Sequence, residues 1–205
     1  WLSCYNCRFT GWQDTIFNGD PMTCNMKKLM LPDFFQASEV PIVHKFYRNY
    51  FKDCYVCGDV DYIFGPNTAF FDHCEIHSIA RVSEGKAYIT AASTPAGQEF
   101  GLVFSHCRIT GEEPDSVYLG RPWRDCAKTA FICCELGDHI CPEGWQNWGK
   151  VRAEVLSDYI EYGNFGPGAD CSGRSPLSRC LVNPEVETYF SKENVLVGED
   201  GWIPA

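Results

Sequence analysis

Basic residues are scarce in this sequence: 17 Lys and Arg stand against 27 Asp and Glu, for a net charge of −10. That balance argues against nucleic acid or an anionic membrane as the partner. No apolar run approaches the roughly 20 residues a membrane-spanning helix needs. The histidines, His44, His73, His77, His106 and His139, number only five and are scattered, so their spacing gives no metal constellation. Gly-x-Ser-x-Gly is absent, which removes the serine nucleophile elbow. No Gly-rich phosphate loop is present either. Trp1 opens directly into Leu-Ser-Cys-Tyr-Asn-Cys, with neither a basic start nor an apolar run behind it. A processed or truncated chain is therefore expected.

What is present is a globular composition, 45% hydrophobic and 15% aromatic over 205 residues, with no linker that would divide it. One domain, 1–205, is expected. The 13 cysteines are many, and their odd number leaves at least one thiol unpaired. Cys4-x-x-Cys7 and Cys54-x-x-Cys57 invite a zinc reading, but a repeat accounts for several of these residues better. Phe51-Lys52-Asp53-Cys54-Tyr55-Val56, Phe71-Asp72-His73-Cys74-Glu75-Ile76, Phe104-Ser105-His106-Cys107-Arg108-Ile109 and Phe131-Ile132-Cys133-Cys134-Glu135-Leu136 share aromatic-x-x-Cys-x-apolar. Cys4-Tyr5-Asn6-Cys7-Arg8-Phe9 matches with Cys4 in the aromatic place. The matched cysteines, at 7, 54, 74, 107 and 134, are unevenly spaced, as in a solenoid whose coils carry insertions of different length. Buried thiols then form a structural ladder, since free Cys behaves as a small hydrophobe. His73 and His106 hold matching places and are expected to stack on the outside. Residues 18–45, with Pro21, Pro32 and Pro41, read as a long connection. Tyr88-Ile89-Thr90-Ala91 and Val117-Tyr118-Leu119-Gly120 read as short strands. Asn183-Pro184 opens a short helix near the C-terminus.

Four stretches could carry chemistry: Gly11-Trp12-Gln13-Asp14-Thr15, Cys57-Gly58-Asp59-Val60-Asp61-Tyr62-Ile63-Phe64-Gly65, Tyr118-Leu119-Gly120-Arg121-Pro122-Trp123 and Gly144-Trp145-Gln146-Asn147-Trp148-Gly149. Strict strand alternation in the second would put Asp59, Asp61 and Ile63 on one face and Val60, Tyr62 and Phe64 on the other. Asp14 lies seven residues beyond Cys7, and Asp61 seven beyond Cys54. That equal offset predicts two carboxylates side by side on adjacent coils. Such a pair cannot ionise together easily, so one pKa rises while the other stays low. Arg121 is the residue that could hold one of them ionised through a bidentate contact. Gln13 could donate to an oxyanion. Exposed Trp123, Trp145 and Phe64 would offer flat faces to sugar rings.

Taken together these motifs resemble the pectin methylesterase family. Gln13-Asp14-Thr15, Val60-Asp61-Tyr62-Ile63-Phe64-Gly65 and Leu119-Gly120-Arg121-Pro122-Trp123 come in the family's order. Phe46-Tyr47-Arg48, Gly144-Trp145, and Gly163-Asn164 to Gly166-Pro167-Gly168-Ala169 fit as well. The run from Tyr88 to Pro95 looks more like microbial than plant members. The resemblance implies an all-β fold, a right-handed parallel β-helix with long loops and a short C-terminal helix, here lacking its first coils. It implies Asp61 as nucleophile toward a galacturonate methyl ester and Asp14 as general acid, then base. Gln13 would stabilise the oxyanion, and Arg121 would orient Asp61. Trp123, Phe64, Val60 and Trp145 would contact the sugar. Tyr62 stands where the family usually has Phe, and the family's second oxyanion Gln would precede Trp1.

No metal or organic cofactor is implied. The implied partner is methyl-esterified homogalacturonan, with no nucleic acid or membrane, for a monomer working outside the cell or in the periplasm. A non-catalytic pectin-binding β-helix is the rival reading. Retention of Gln13, Asp14, Asp61 and Arg121 together speaks against it.

Overall fold

The structure, a computed structural model, describes residues 1–19, 47–81 and 84–204. Among the described residues, sixteen short strands wind in successive coils, each full coil giving one strand to each of three parallel sheets. The first coil comprises β1 (Leu2–Tyr5), β2 (Arg8–Thr10) and β3 (Ile16–Phe17), and the second β4 (Arg48–Lys52), β5 (Tyr55–Gly58) and β6 (Val60–Gly65). The third holds β7 (Thr68–Asp72), β8 (Glu75–Ser78) and β9 (Ala87–Ala92), and the fourth β10 (Leu102–Ser105), β11 (Arg108–Gly111) and β12 (Val117–Gly120). β13 (Lys128–Ile132), β14 (Glu135–Leu136), β15 (Asp158–Tyr162) and β16 (Ser178–Leu181) complete the stack. The first sheet runs β1-β4-β7-β10-β13-β15-β16, the second β14-β11-β8-β5-β2, the third β12-β9-β6-β3. This is the expected parallel β-helix. The connection foreseen for 18–45 lies outside the described residues from position 20 onward, as does Phe46.

The aromatic-x-x-Cys-x-apolar repeat is the register of this stack. Phe51, Phe71 and Phe104 pair in register across β4, β7 and β10, with Phe131 next on β13. Their rings stack at 4.6, 4.7 and 4.5 Å between centroids. Val56, Ile76, Ile109 and Leu136 form a second buried column. The thiols fill the space between, each donating to a carbonyl of the preceding coil: Cys74 to Phe51 at 3.4 Å, Cys107 to Phe71 at 3.3 Å, Cys134 to Phe104 at 3.5 Å. They are free, as the ladder reading requires. Among the described residues neither CxxC pair belongs to a metal-ligating cluster.

The corner before each ladder thiol is a single left-handed residue: Asn6, Asp53, His73, His106 and Cys133 all have φ between 52° and 54°. Asn, Asp and His tolerate that conformation better than other side chains, which explains the polar residues in the repeat. His73 and His106 stack there at 5.2 Å and 6°. Outside the first sheet, the helices Glu185–Tyr189 and Lys192–Val195 cover a second apolar cluster of Tyr50, Phe70, Val103, Ile132, Ile160 and Phe190. Asn183 caps the first of these, its Oδ1 accepting from Glu185 N at 3.0 Å. Buried Arg48 ties this tail back to the second coil through Asp200 at 2.5 Å.

Candidate active site

The candidate residues gather along the third sheet. The link between β2 and β3 lies along the second coil: Gly11 N donates to Cys57 O, Asp59 N to Trp12 O, and Asp14 N to Val60 O at 3.1 Å. Ile16 then pairs with Ile63, which sets Asp14 opposite Asp61 on adjacent coils, as the equal offset predicted. Both aspartates are left-handed, with φ of 59° and 51°.

At Asp61 this conformation belongs to a bulge. Val60 faces Tyr88 and Ile63 faces Thr90, so β6 has one residue more than β9 between the same two rungs. The expected alternation of faces therefore fails. Tyr62 and Ile63 are both fully buried, the Tyr62 hydroxyl lying 2.9 Å from Ser78 Oγ, and the extra residue lets Asp61 leave the strand pattern. Sequence periodicity does not reveal such an insertion.

Asp61 is only 5% exposed. Arg121 Nε donates to its Oδ1 and Nη2 to its Oδ2, both at 2.8 Å. The guanidinium is itself clamped between the rings of Tyr88, 3.8 Å away, and Trp148, 3.7 Å away. Lys150 sits 4.1 Å from the Trp148 ring centre and donates to Pro122 O at 2.8 Å. This aromatic clamp holds the plane of the fork, so that little freedom is lost in gripping both oxygens. Both acceptors of Asp61 are thus taken by a cation, which fits an ionised carboxylate.

Burial raises the Asp61 carboxyl above its usual range, against the opposing pull of Arg121, Lys150 and Arg81. Asp14 is also raised, first by burial and then by the charge of Asp61, with Arg121 opposing. The expectation that only one of the pair would rise is therefore corrected: desolvation of Asp61 outweighs its salt bridge. Gln13 is exposed beside Asp14, and Trp12 is 59% exposed.

Of the residues expected to meet a sugar, Phe64 and Trp123 lie together, half-buried and edge-to-face at 5.7 Å, with Phe17 4.9 Å from Phe64. Val60 is buried. Trp145 is a correction. It is 2% exposed, stacks on Tyr159 at 4.2 Å, and donates from Nε1 to Glu161 Oε1 at 2.9 Å. Glu161 is held in turn by buried Arg174 at 2.9 Å. Trp145 pairs with Gly120 in the coil interior and cannot offer a face to a ligand. Trp148, three residues on, occupies the outer side. Of the two tryptophans of Gly144–Gly149, the one that borders Arg121 is Trp148, and sequence reasoning did not place it, Tyr88 or Lys150 beside that guanidinium. The repeat held one usable signal: an apolar column continuing past Leu119 must take one of the two tryptophans inward.

A cavity of about 960 Å³ lies elsewhere, bordered by Arg48, Gln98, Phe100, Asn194 and Asp200, and is lined by none of the candidate site residues.

Comparison with known proteins identifies the family and the fold. The Pectinesterase family model matches residues 36–199. Pectinesterase 31 of Arabidopsis thaliana is 37% identical over 183 residues, covering 88% of this chain and 48% of its own. Probable pectinesterase A of Aspergillus fumigatus is 35% identical over 185 residues, covering 86% and 47%. Plant and fungal relatives thus match about equally, so the expectation of a microbial rather than plant type is not borne out. The solved structure of pectin methylesterase from carrot superposes with a TM-score of 0.77 at 25% identity, over 97% of this chain and 57% of that one. The chain spans about half the length of these curated relatives.

Proposed function

The chain belongs to the pectinesterase family, and from that premise we propose that it hydrolyses galacturonate methyl esters in pectin, releasing methanol. The observation that carries the reading is the bidentate Asp61–Arg121 pair with Asp14 in register on the next coil.

In the proposed reaction an Asp61 oxygen attacks the C6 carbonyl carbon. The carbonyl electron pair moves onto oxygen, where the exposed Gln13 amide donates to it. Collapse of this adduct breaks the bond to the methoxy group, which takes the Asp14 proton and leaves as methanol. An anhydride between C6 and Asp61 remains. Asp14, now ionised, removes a proton from water, which attacks C6, and Asp61 departs as the carboxylate it began as. The raised pKa of Asp14 suits a group that must hold a proton and then give it up. Arg121 keeps Asp61 oriented and ionised for attack. The aromatic edge of Phe64 and Trp123 is the proposed resting place for sugar rings. No step needs a metal or organic cofactor. Pectin is an extracellular polymer, so the protein is proposed to act outside the cell, as a monomer. Among the described residues no helix is long and apolar enough to cross a membrane.

The test is methanol release from highly esterified pectin by the full-length protein. Asp61→Asn should abolish turnover, and Asp14→Asn should lower it by about 10²–10⁴-fold. An Asp61→Asn protein as active as the wild type would sink the assignment.

A further inference from the structure

The corner column and the C-terminal tail meet at a second place where ligating atoms converge, at the corner that follows the first sheet and not on the third sheet. We propose that His106, Cys133 and Glu187 bind one divalent cation of the zinc type, clipping the C-terminal helix to the wall of the solenoid.

His106 and Cys133 are successive members of the left-handed corner column, on adjacent coils whose preceding residues, Ser105 and Ile132, pair in register. Glu187 comes from the helix Glu185–Tyr189, which is anchored by buried Val186 and Phe190. One imidazole nitrogen, the thiol sulfur and one carboxylate oxygen lie within 4.8 Å of one another. His106 Nε2 stands 3.8 Å from Glu187 Oε1. Tetrahedral coordination, with bonds of about 2.0–2.3 Å, places ligands about 3.3–3.8 Å apart, so the three atoms need only small side-chain adjustments to close on one ion.

The imidazole is already arranged for this. Its Nδ1 lies 3.0 Å from Ser105 Oγ, which leaves Nε2 turned to Glu187. Its ring is held flat against His73. A ligating His normally has its other nitrogen occupied in this way. Sulfur, nitrogen and oxygen donors together suit zinc or cobalt better than magnesium or calcium. Three protein ligands leave a fourth position for water. The histidines by sequence gave no constellation, yet one of them, His106, contributes to this one, because its other members are a ladder-corner thiol and a tail carboxylate.

The protein, reduced and freed of metal by chelator, is titrated with Co(II) alone, and its melting temperature is followed with and without Zn(II). The wild type should take up one equivalent saturably, show a thiolate-to-cobalt charge-transfer band, and melt higher with zinc. Cys133→Ser should lose the band and the thermal shift, while a Cys4→Ser/Cys7→Ser control keeps both. Glu187→Gln, on an exposed helix face and safe for folding, should weaken binding tenfold or more. A band or a zinc shift that survives Cys133→Ser, or Glu187→Gln binding as the wild type does, would overturn the proposal; so would absence of saturable uptake.

Discussion

Arg121 is the side chain on which the proposed site depends most, because it does two jobs at once. It satisfies both oxygens of a buried carboxylate, and it opposes the rise in that carboxylate's pKa. Lys in its place would keep the charge but lose the fork. With a charge-assisted hydrogen bond contributing about 1.5–3 kcal/mol, Arg121→Lys should lower kcat/KM by about 10- to 150-fold. Arg121→Met removes the charge as well. The Asp61 pKa then climbs further, and the acid limb of the kcat profile should move to higher pH. A limb that stays in place would mean that the ionisation of Asp61 does not govern it. The two tryptophans separate function from folding. Trp148→Ala should impair turnover with modest loss of stability, whereas Trp145→Ala should cost about 3–5 kcal/mol in denaturant unfolding. The carboxylate pair was legible in the sequence because a solenoid converts equal offsets into adjacency. The tryptophans were not, since Gly144 and Trp148 have φ of 64° and 55°, and the turn they form decides which ring faces in.

At the scale of the element, the columns inside the coils are not equivalent. Phe104 stacks on Phe71 and Phe131 and is fully buried, so Phe104→Ala opens a hole that neither neighbour can fill. A loss of about 3–5 kcal/mol is expected. Cys107 fills less volume, and its thiol makes long contacts to the Phe71 and Ser105 carbonyls and to the neighbouring thiols Cys74 and Cys134. Cys107→Ala should cost about 1 kcal/mol. Equilibrium urea unfolding of the two variants measures the difference, and equal losses would show that the thiols hold the stack together as much as the rings do. This part of the fold was readable because ring, thiol and aliphatic residue recur at fixed spacing while insertions fall between repeats. The bulge at Asp61 was hidden, since one extra residue leaves no mark on composition or pattern. The second apolar layer was only partly visible: Asn183-Pro184 announces a helix, but nothing local says which sheet it covers.

At the scale of the whole molecule, acid stability should turn on His139. It is fully buried, with neither ring nitrogen hydrogen-bonded, and it is packed against Gly111 and Gly137 so closely that a Cβ at either position would strike the ring. Burial lowers its pKa to about 4, with His77 adding and Asp138 opposing. Below pH 6.5 the unfolded chain takes up a proton that the folded chain refuses. The unfolded state then binds more protons, so stability falls with pH from about 6.5 to about 4 and loses nothing further below that. The full loss is on the order of 3 kcal/mol. Asp14 and Asp61 act with the opposite sign, because their raised folded-state values make the native state the better proton acceptor as pH falls. The wild-type curve therefore mixes the two effects, and a variant is needed to separate them. His139→Leu keeps an apolar group of similar bulk and cannot be charged. Unfolding free energies of both proteins, measured at pH 7 and pH 4.5, should show the wild type losing more, by most of that amount. Curves that fall in parallel would mean that protonation of His139 has no part in acid unfolding.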